Sequence, residues 1–252
     1  MHRFFIPDKS FDNDHAAISG DTAHQIIRVL RLKPGDQVVL LDNEGWEYQT
    51  VIKSITKDVV TGKILNKVLG TGEPSVKITL YQALIKSDKF EFVLQKGVEI
   101  GIHSFVPFVS ERCVAKKPSE NRIERWRNII KEAAEQSRRT RLPVLLQVIS
   151  FEEACRQALK PALILWEEEK TRGLKSLLRS PTFSKKKEIS LFVGPEGGFT
   201  SAEIVLANQH KIVSVGLGDR ILRAETAGLA VISAIMYEKG ELGQGGRRLG
   251  ST

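Results

Sequence analysis

The sequence predicts an α/β protein: a mostly parallel sheet with helices on both faces, preceded by a small β-rich N-terminal domain. Three observations predict it. From Val76 onward, short apolar runs alternate with stretches of helical periodicity, the pattern of βαβ units. Two of these units, at 191–204 and 213–227, share one layout of apolar strand, glycine-bearing loop and helix. Before Val76 the runs are short, β-rich and punctuated by turn residues.

Taken in order, Asp21 is placed to cap a short amphipathic helix whose Ile26, Ile27, Val29 and Leu30 face inward, and Pro34-Gly35 ends it. Segments 37–42 and 47–55 read as strands joined by the hairpin turn Asn43-Glu-Gly45. Segment 59–65 reads as a further strand, and a small β-barrel fits the set. Gly70-Thr-Gly-Glu-Pro74 has the composition of a linker. Beyond it, strands are expected at 78–84, 105–109, 145–149, 162–166, 189–193 and 212–215. Helices are expected at 90–100, 123–138, 151–159, 202–208 and 226–237. The domains expected are therefore 1–70 and 75–239, followed by a Gly-, Arg- and Ser-rich tail, 240–252, expected to be disordered.

Composition narrows the function classes. A formal charge of +8 on 252 residues favours a polyanionic partner without requiring one. Cys113 and Cys155 are far apart and lack metal-type spacing, so both read as reduced residues of a cytoplasmic protein. The five histidines are scattered, and no metal site is expected. The apolar run at Met1-His-Arg-Phe-Phe-Ile-Pro7 is too short for a signal peptide, and no stretch has the length of a membrane helix.

The two glycine-bearing loops carry the functional signal. In open α/β sheets ligands bind where loops leave the carboxyl ends of strands. Gly194, Gly197 and Gly198 let backbone approach a ligand, and Pro195 stiffens the turn. The second loop brings Asp219, Arg220, Arg223 and Glu225 within seven residues, as cleft groups or as plain surface charge. Thr200 with Glu203 three residues on forms a capping-box signal for the helix that follows. Neither a P-loop nor a Gly-x-Gly-x-x-Gly fingerprint is present. What remains is a cofactor held by backbone groups and by apolar side chains such as Leu217, Ile221 and Leu222.

These loops resemble the cofactor loops of SPOUT (trefoil-knot) methyltransferases, and above all those of the ribosomal small subunit methyltransferase E family. The likeness extends over nearly the whole chain. It runs through His24-Gln-Ile-Ile-Arg-Val-Leu-Arg-Leu-Lys-Pro-Gly-Asp36, Gln82-Ala-Leu-Ile-Lys86, Gln95-Lys-Gly-Val-Glu-Ile-Gly101, Ser110-Glu-Arg112, Arg125-Trp126 and Glu132-Ala-Ala-Glu-Gln-Ser-Arg-Arg139 with Pro143. One departure is Arg138, where the family usually has glycine. The resemblance implies a PUA-like N-terminal barrel and a knotted C-terminal domain. It also implies a homodimer in which each cofactor site lies near the partner subunit. The activity implied is methylation of N3 of a uridine in 16S rRNA, with S-adenosylmethionine as cofactor and 16S rRNA or the assembled small subunit as partner.

On that footing the expected cofactor contacts are Leu165, Gly194, Glu196, Gly198, Leu217, Gly218, Ile221, Leu222, Ala224 and Thr226. The expected RNA contacts are His24, Arg28, Arg31, Arg138, Arg139 and Arg141, since arginine suits phosphate. Arg223 is expected to stabilise negative charge on the uracil oxygens. Glu225 is expected to accept the N3 proton or to orient Arg223. Lys86 with Glu99 reads as an ion pair, and Trp46, Trp126 and Trp166 read as core. Methylation of a ribose 2′-hydroxyl or a guanine, and a non-catalytic RNA-binding role in ribosome assembly, are the alternatives.

Overall fold

The computed structural model describes residues 1–115 and 117–243; the expected tail beyond Gly243 lies outside the described residues. The chain forms two compact units. The first comprises Met1–Glu73 together with Lys131–Leu142, a segment expected in the second; the second comprises Pro74–Ile130 and the chain from Pro143 onward.

In the first unit β1 (His2–Phe5), β2 (Phe11–Asp12), β3 (His15–Ser19), β4 (Gln37–Leu41), β5 (Trp46–Ile55) and β6 (Val59–Leu69) form one sheet ordered β1-β4-β5-β6-β3-β2. Only β1 and β4 pair in parallel. Burial along β3 alternates strictly, as expected of a sheet with one face on a core. That core gathers Phe4, Ile18, Ile26, Leu40, Ile52 and Val60. The expected hairpin forms, with Asn43 and Gly45 at φ 66° and 103°. Asp42 Oδ1 accepts the amides of Glu44 (2.7 Å) and Trp46 (3.2 Å). β6 runs longer than expected.

The expected N-terminal helix is replaced by α1 (Gly20–His24) and a π-helical turn at Gln25–Val29. The wider turn shifts the helical period by about one residue. Ile26 is therefore fully buried, whereas Val29, expected inward, is 65 % exposed. The Lys131–Leu142 segment is bound into this unit by polar contacts. Phe5 N donates to Glu135 (2.9 Å), Lys131 to Thr22 (3.2 Å), and Arg139 to Glu73 (2.7 Å).

In the second unit the strands are β7 (Lys77–Ala83), β8 (Ser104–Val109), β9 (Val144–Leu145), β10 (Ile149–Ser150), β11 (Ala162–Leu165), β12 (Glu188–Val193) and β13 (Ile212–Val215). All pairings are parallel, in the order β10-β8-β7-β12-β11-β13, with β9 also on β8. The strand expected at 145–149 is thus two short fragments on the same neighbour. β8, β11 and β12 are buried along nearly their whole length, because helices cover both faces.

The helices are α2 (Ser87–Ile100), α3 (Glu120–Gln136, whose last turns belong to the first unit), α4 (Phe151–Gln157), α5 (Leu174–Arg179), α6 (Pro181–Ser184), α7 (Ser201–Gln209) and α8 (Ala224–Glu238). α5 and α6 were not expected. Phe108, Phe151, Phe192 and Phe199 cluster beneath the sheet's carboxyl edge. Trp126 is buried against Phe90, as expected of core, but Trp46 is 38 % exposed beneath the Lys67 ammonium. Glu99 pairs with Lys96 at 2.8 Å rather than with Lys86. Among the described residues no helix is long and apolar enough to cross a membrane.

Candidate active site

Parallel pairing places the carboxyl ends of β7, β12, β11 and β13 side by side along one edge, so their loops converge. They enclose a cleft of about 390 Å³, within the range of small-molecule sites. Leu165 and Trp166 reach it from the end of β11, Gly194, Pro195, Glu196, Gly198 and Phe199 from β12, and Leu217 to Ala224 from β13. The site is therefore a consequence of strand order.

Local sequence fixes each wall. Gly198 stands at φ 69° and Gly218 at φ 92°, a region that L side chains rarely adopt. No atom lies within 4 Å of where a Gly218 Cβ would stand, and only Glu167 Oε1, at 3.7 Å, is near the equivalent point of Gly198. Both backbones thus border open space that a ligand can fill. The capping box is complete: the Glu203 amide donates to Thr200 Oγ1 (3.3 Å), and the Thr200 amide donates to Glu203 Oε2 (2.9 Å). Glu203 Oε1 also accepts the Glu111 amide (3.0 Å), and Arg112 donates to the Gly197 carbonyl (2.9 Å). The Ser110-Glu-Arg112 motif therefore braces the first loop.

A third loop, 166–172, closes the cleft and is braced by Glu169. Its carboxylate accepts the Ser214 hydroxyl (2.7 Å), the Thr171 hydroxyl and the amides of Thr171 (2.9 Å) and Arg172 (3.2 Å). These bonds, led by the Thr171 and Ser214 hydroxyls, hold its pKa down to about 2.

Nine of the ten expected cofactor residues line the cleft; Thr226 does not. Arg223 lines it too, and so do Asp219 and Arg220. Glu225 does not. It sits one residue into α8, with Oε1 3.3 Å from Lys89 Nζ, and it is Lys89 that reaches the cleft. Trp166, expected in the core, also lines it. Lys89, Glu167 and Lys170 line the cleft as well, beyond the residues expected from sequence. Glu167 and Lys170 follow the end of β11, so the strand-end rule had the power to find them. Lys89 leaves no such signal.

The expected RNA contacts all fall in the first unit. His24, Arg28 and Arg31 are exposed along α1 and the π turn, with Arg31 at φ 53°. Arg138 is exposed at φ 62°, where the residue after Gln136-Ser137 must adopt a left-handed backbone; glycine meets that demand without strain. Arg141 is exposed and pairs with Glu44 at 3.2 Å. Arg139 is different: its side chain is only 4 % exposed and is committed to Glu73, so it braces the segment rather than presenting a cation. Among the described residues no group of three or more His, Cys, Asp or Glu is placed to hold a metal.

Comparison with known proteins fits this architecture. Residues 72–236 match the RNA methyltransferase domain family, and residues 18–65 match the RNA methyltransferase PUA domain. The chain is 36 % identical to ribosomal RNA small subunit methyltransferase E of Bacillus subtilis, over 94 % of this chain and 97 % of that protein. A crystal structure of the Neisseria gonorrhoeae ribosomal RNA small subunit methyltransferase E bound to S-adenosylmethionine superposes with a TM-score of 0.84 at 31 % identity, over 94 % of this chain and 97 % of that one. A putative Legionella pneumophila methyltransferase in complex with the same cofactor gives 0.85 at 28 % identity, over 93 % and 96 %. With its two units, its parallel sheet and its strand-end cleft, the chain belongs to the ribosomal RNA small subunit methyltransferase E family.

Proposed function

We propose that this protein transfers a methyl group from S-adenosylmethionine to N3 of a uridine in 16S rRNA, working as a cytoplasmic homodimer on the rRNA or the assembled small subunit. The observation that carries the reading is the cleft itself: two left-handed glycines border open space between the apolar Leu165, Leu217 and Leu222. A flat purine nucleoside fits between apolar side chains and close backbone, and both cofactor-bound relatives share this fold. Leu165, Gly194, Glu196, Gly198, Leu217, Gly218, Ile221, Leu222, Ala224 and Thr226 are the residues assigned to holding it.

The bound cofactor supplies an electrophilic methyl on a sulfonium. The residues of the chain do the rest. N3 of uracil carries a proton and is a poor nucleophile until that proton leaves. Arg223 stabilises the negative charge that deprotonation puts on the uracil oxygens. Glu225, set back from the cleft, serves that step by orienting a neighbouring cation. His24, Arg28, Arg31, Arg138 and Arg141 position the RNA through its phosphates. Arg139 serves by holding its neighbours in place.

Nucleoside mass spectrometry of 16S rRNA and of small subunits, each incubated with protein and cofactor, tests the reading. 3-Methyluridine is the expected product. A methylated ribose or guanine would assign the enzyme to another position, and binding without any methylated product would leave an assembly factor. Sedimentation of the purified protein tests the dimer.

A further inference from the structure

Resting on the reading above, the geometry points to Lys89 as the cation that faces the target base, with Glu225 acting through it. Glu225 Oε1 lies 3.3 Å from Lys89 Nζ, and Glu225 Oε2 is enclosed and accepts no hydrogen bond among the described residues. The Glu225 side chain is 13 % exposed and that of Lys89 25 %. Of the two, Lys89 borders the cleft. A base approaching from the cleft therefore meets the ammonium before it meets the carboxylate.

The helix positions of the pair carry the argument further. Glu225 is in the first turn of α8, where the positive end of the helix favours a carboxylate. Lys89 is in the first turn of α2, where the same field disfavours a cation. A half-buried lysine against its helix dipole needs a reason to be there, and Glu225 provides the means. The carboxylate holds the ammonium at the cleft wall and offsets the cost of burying it. Arg223, the residue just before α8, lines the same cleft. Two cations from neighbouring helix starts thus flank the space from which the uracil enters.

The chemistry needs such a pair. Removing the N3 proton spreads negative charge over the two carbonyl oxygens that flank N3. One cation placed near each would stabilise the anion and lower the pKa of bound uracil. The proton passes to solvent water. N3 then forms its bond to the methyl carbon with the freed electron pair, and the former carbon–sulfur pair stays on sulfur. No side chain need act as a strong base. Lys89 is a catalytic residue in this scheme and Glu225 a positioning residue. The other charged groups of the cleft are Glu167 and Lys170 after β11, Glu196 after β12, and Asp219 and Arg220 after β13. On α2 itself Asp88 and Glu91 are neighbours in sequence.

Single-turnover rates across pH for Lys89→Met, Lys89→Arg, Glu225→Gln and the double variant Lys89→Met/Glu225→Gln test the assignment. Calorimetry with cofactor alone runs beside them. Lys89→Met should lose on the order of a hundredfold in rate at neutral pH, the scale for one preorganised group. Its cofactor affinity should stay at the parental value. Its rate should keep rising with pH beyond the point where the parent levels off, because hydroxide takes over the ionisation. Lys89→Arg should recover much of the rate and return the pH profile toward that of the parent. Glu225→Gln should cost less than Lys89→Met, and the double variant should lose no more than Lys89→Met alone. The double variant also removes the buried, unpaired carboxylate that destabilises the Lys89→Met single variant. A parental rate and profile for Lys89→Met would overturn the assignment. So would a loss with an unshifted profile and no rescue by arginine. Product identity in the parent enzyme is read separately, so a failed uridine-N3 reading and a failed Lys89 assignment give different results.

Discussion

Glu73→Gln probes the joint that holds the arginine segment in the first unit. The Glu73 carboxylate receives Arg139 Nη2 at 2.7 Å and Nε at 3.3 Å, and the amides of Thr140 and Arg141 at 2.9 and 3.0 Å. The Arg139 side chain is 4 % exposed, so its guanidinium has little water to turn to. Neutralising one member of a buried pair costs about 3–5 kcal/mol. Glutamine keeps an oxygen for the two amides, and Glu73 is itself 23 % exposed, so the expected loss is reduced to about 2–3 kcal/mol.

The pKa of Glu73 gives the effect a pH signature. Burial opposes its charge, but the Arg139 guanidinium and the two amides outweigh burial and hold the carboxyl below its ordinary value of 4.5. A depressed carboxylate contributes stability that is present above the unfolded value and is lost as pH falls through the folded one. Urea denaturation of parent and variant should show a constant gap near neutral pH that closes in acid. Hydrogen exchange at the Thr140 and Arg141 amides should quicken, and RNA affinity should fall while cofactor affinity holds. A gap of zero at neutral pH, or one that persists undiminished in acid, would refute the assignment of the stabilisation to this charge.

Three further outcomes are expected. Arg138→Gly should relieve the left-handed strain at φ 62° and raise the thermal midpoint by the equivalent of about 1 kcal/mol, while weakening RNA binding by one contact. Glu169→Gln should loosen loop 166–172 and weaken cofactor binding by roughly tenfold in calorimetry, the scale of one charge-assisted bond lost; unchanged affinity would free that loop of any role in the cleft. Arg28→Glu with Arg31→Glu should weaken RNA binding and flatten its dependence on salt by a little under about one unit of slope per phosphate contact, without touching the cofactor; an unchanged slope would place the phosphates elsewhere.

The parts of the fold that were legible are those set by local chemistry. The hairpin at Asn43-Glu-Gly45 needs two left-handed residues, and its composition announces them. The capping box of α7 is a two-residue code read directly at Thr200 and Glu203. Buried parallel strands announce themselves as apolar runs, so β11, β12 and β13 stood within a residue or so of expectation. The failures have one source: structure decided by neighbours that sequence does not place. Val29 is periodic with Ile26, yet a π turn swings it outward. Arg139 looks like its neighbours Arg138 and Arg141, yet Glu73 draws it into the interior.

The same distinction explains which half of the candidate site was visible. Residues 194–198 and 217–224 follow the carboxyl ends of strands that are close in sequence, so the strand-end rule alone brings them to one cleft. Lys89 arrives by another route. β13 lies three positions from β7 in the sheet, and the start of α2 meets the start of α8 because α8 packs back onto β12, β7 and α2. Nothing in residues 87–100 taken alone separates Lys89 from any lysine on a helix surface. Its meaning comes from Glu225, the carboxylate expected from sequence to take part in the chemistry. The structure sets the lysine between that carboxylate and the cleft, and an ordinary helix-surface residue thereby becomes the most exposed charge of the pair to an incoming base.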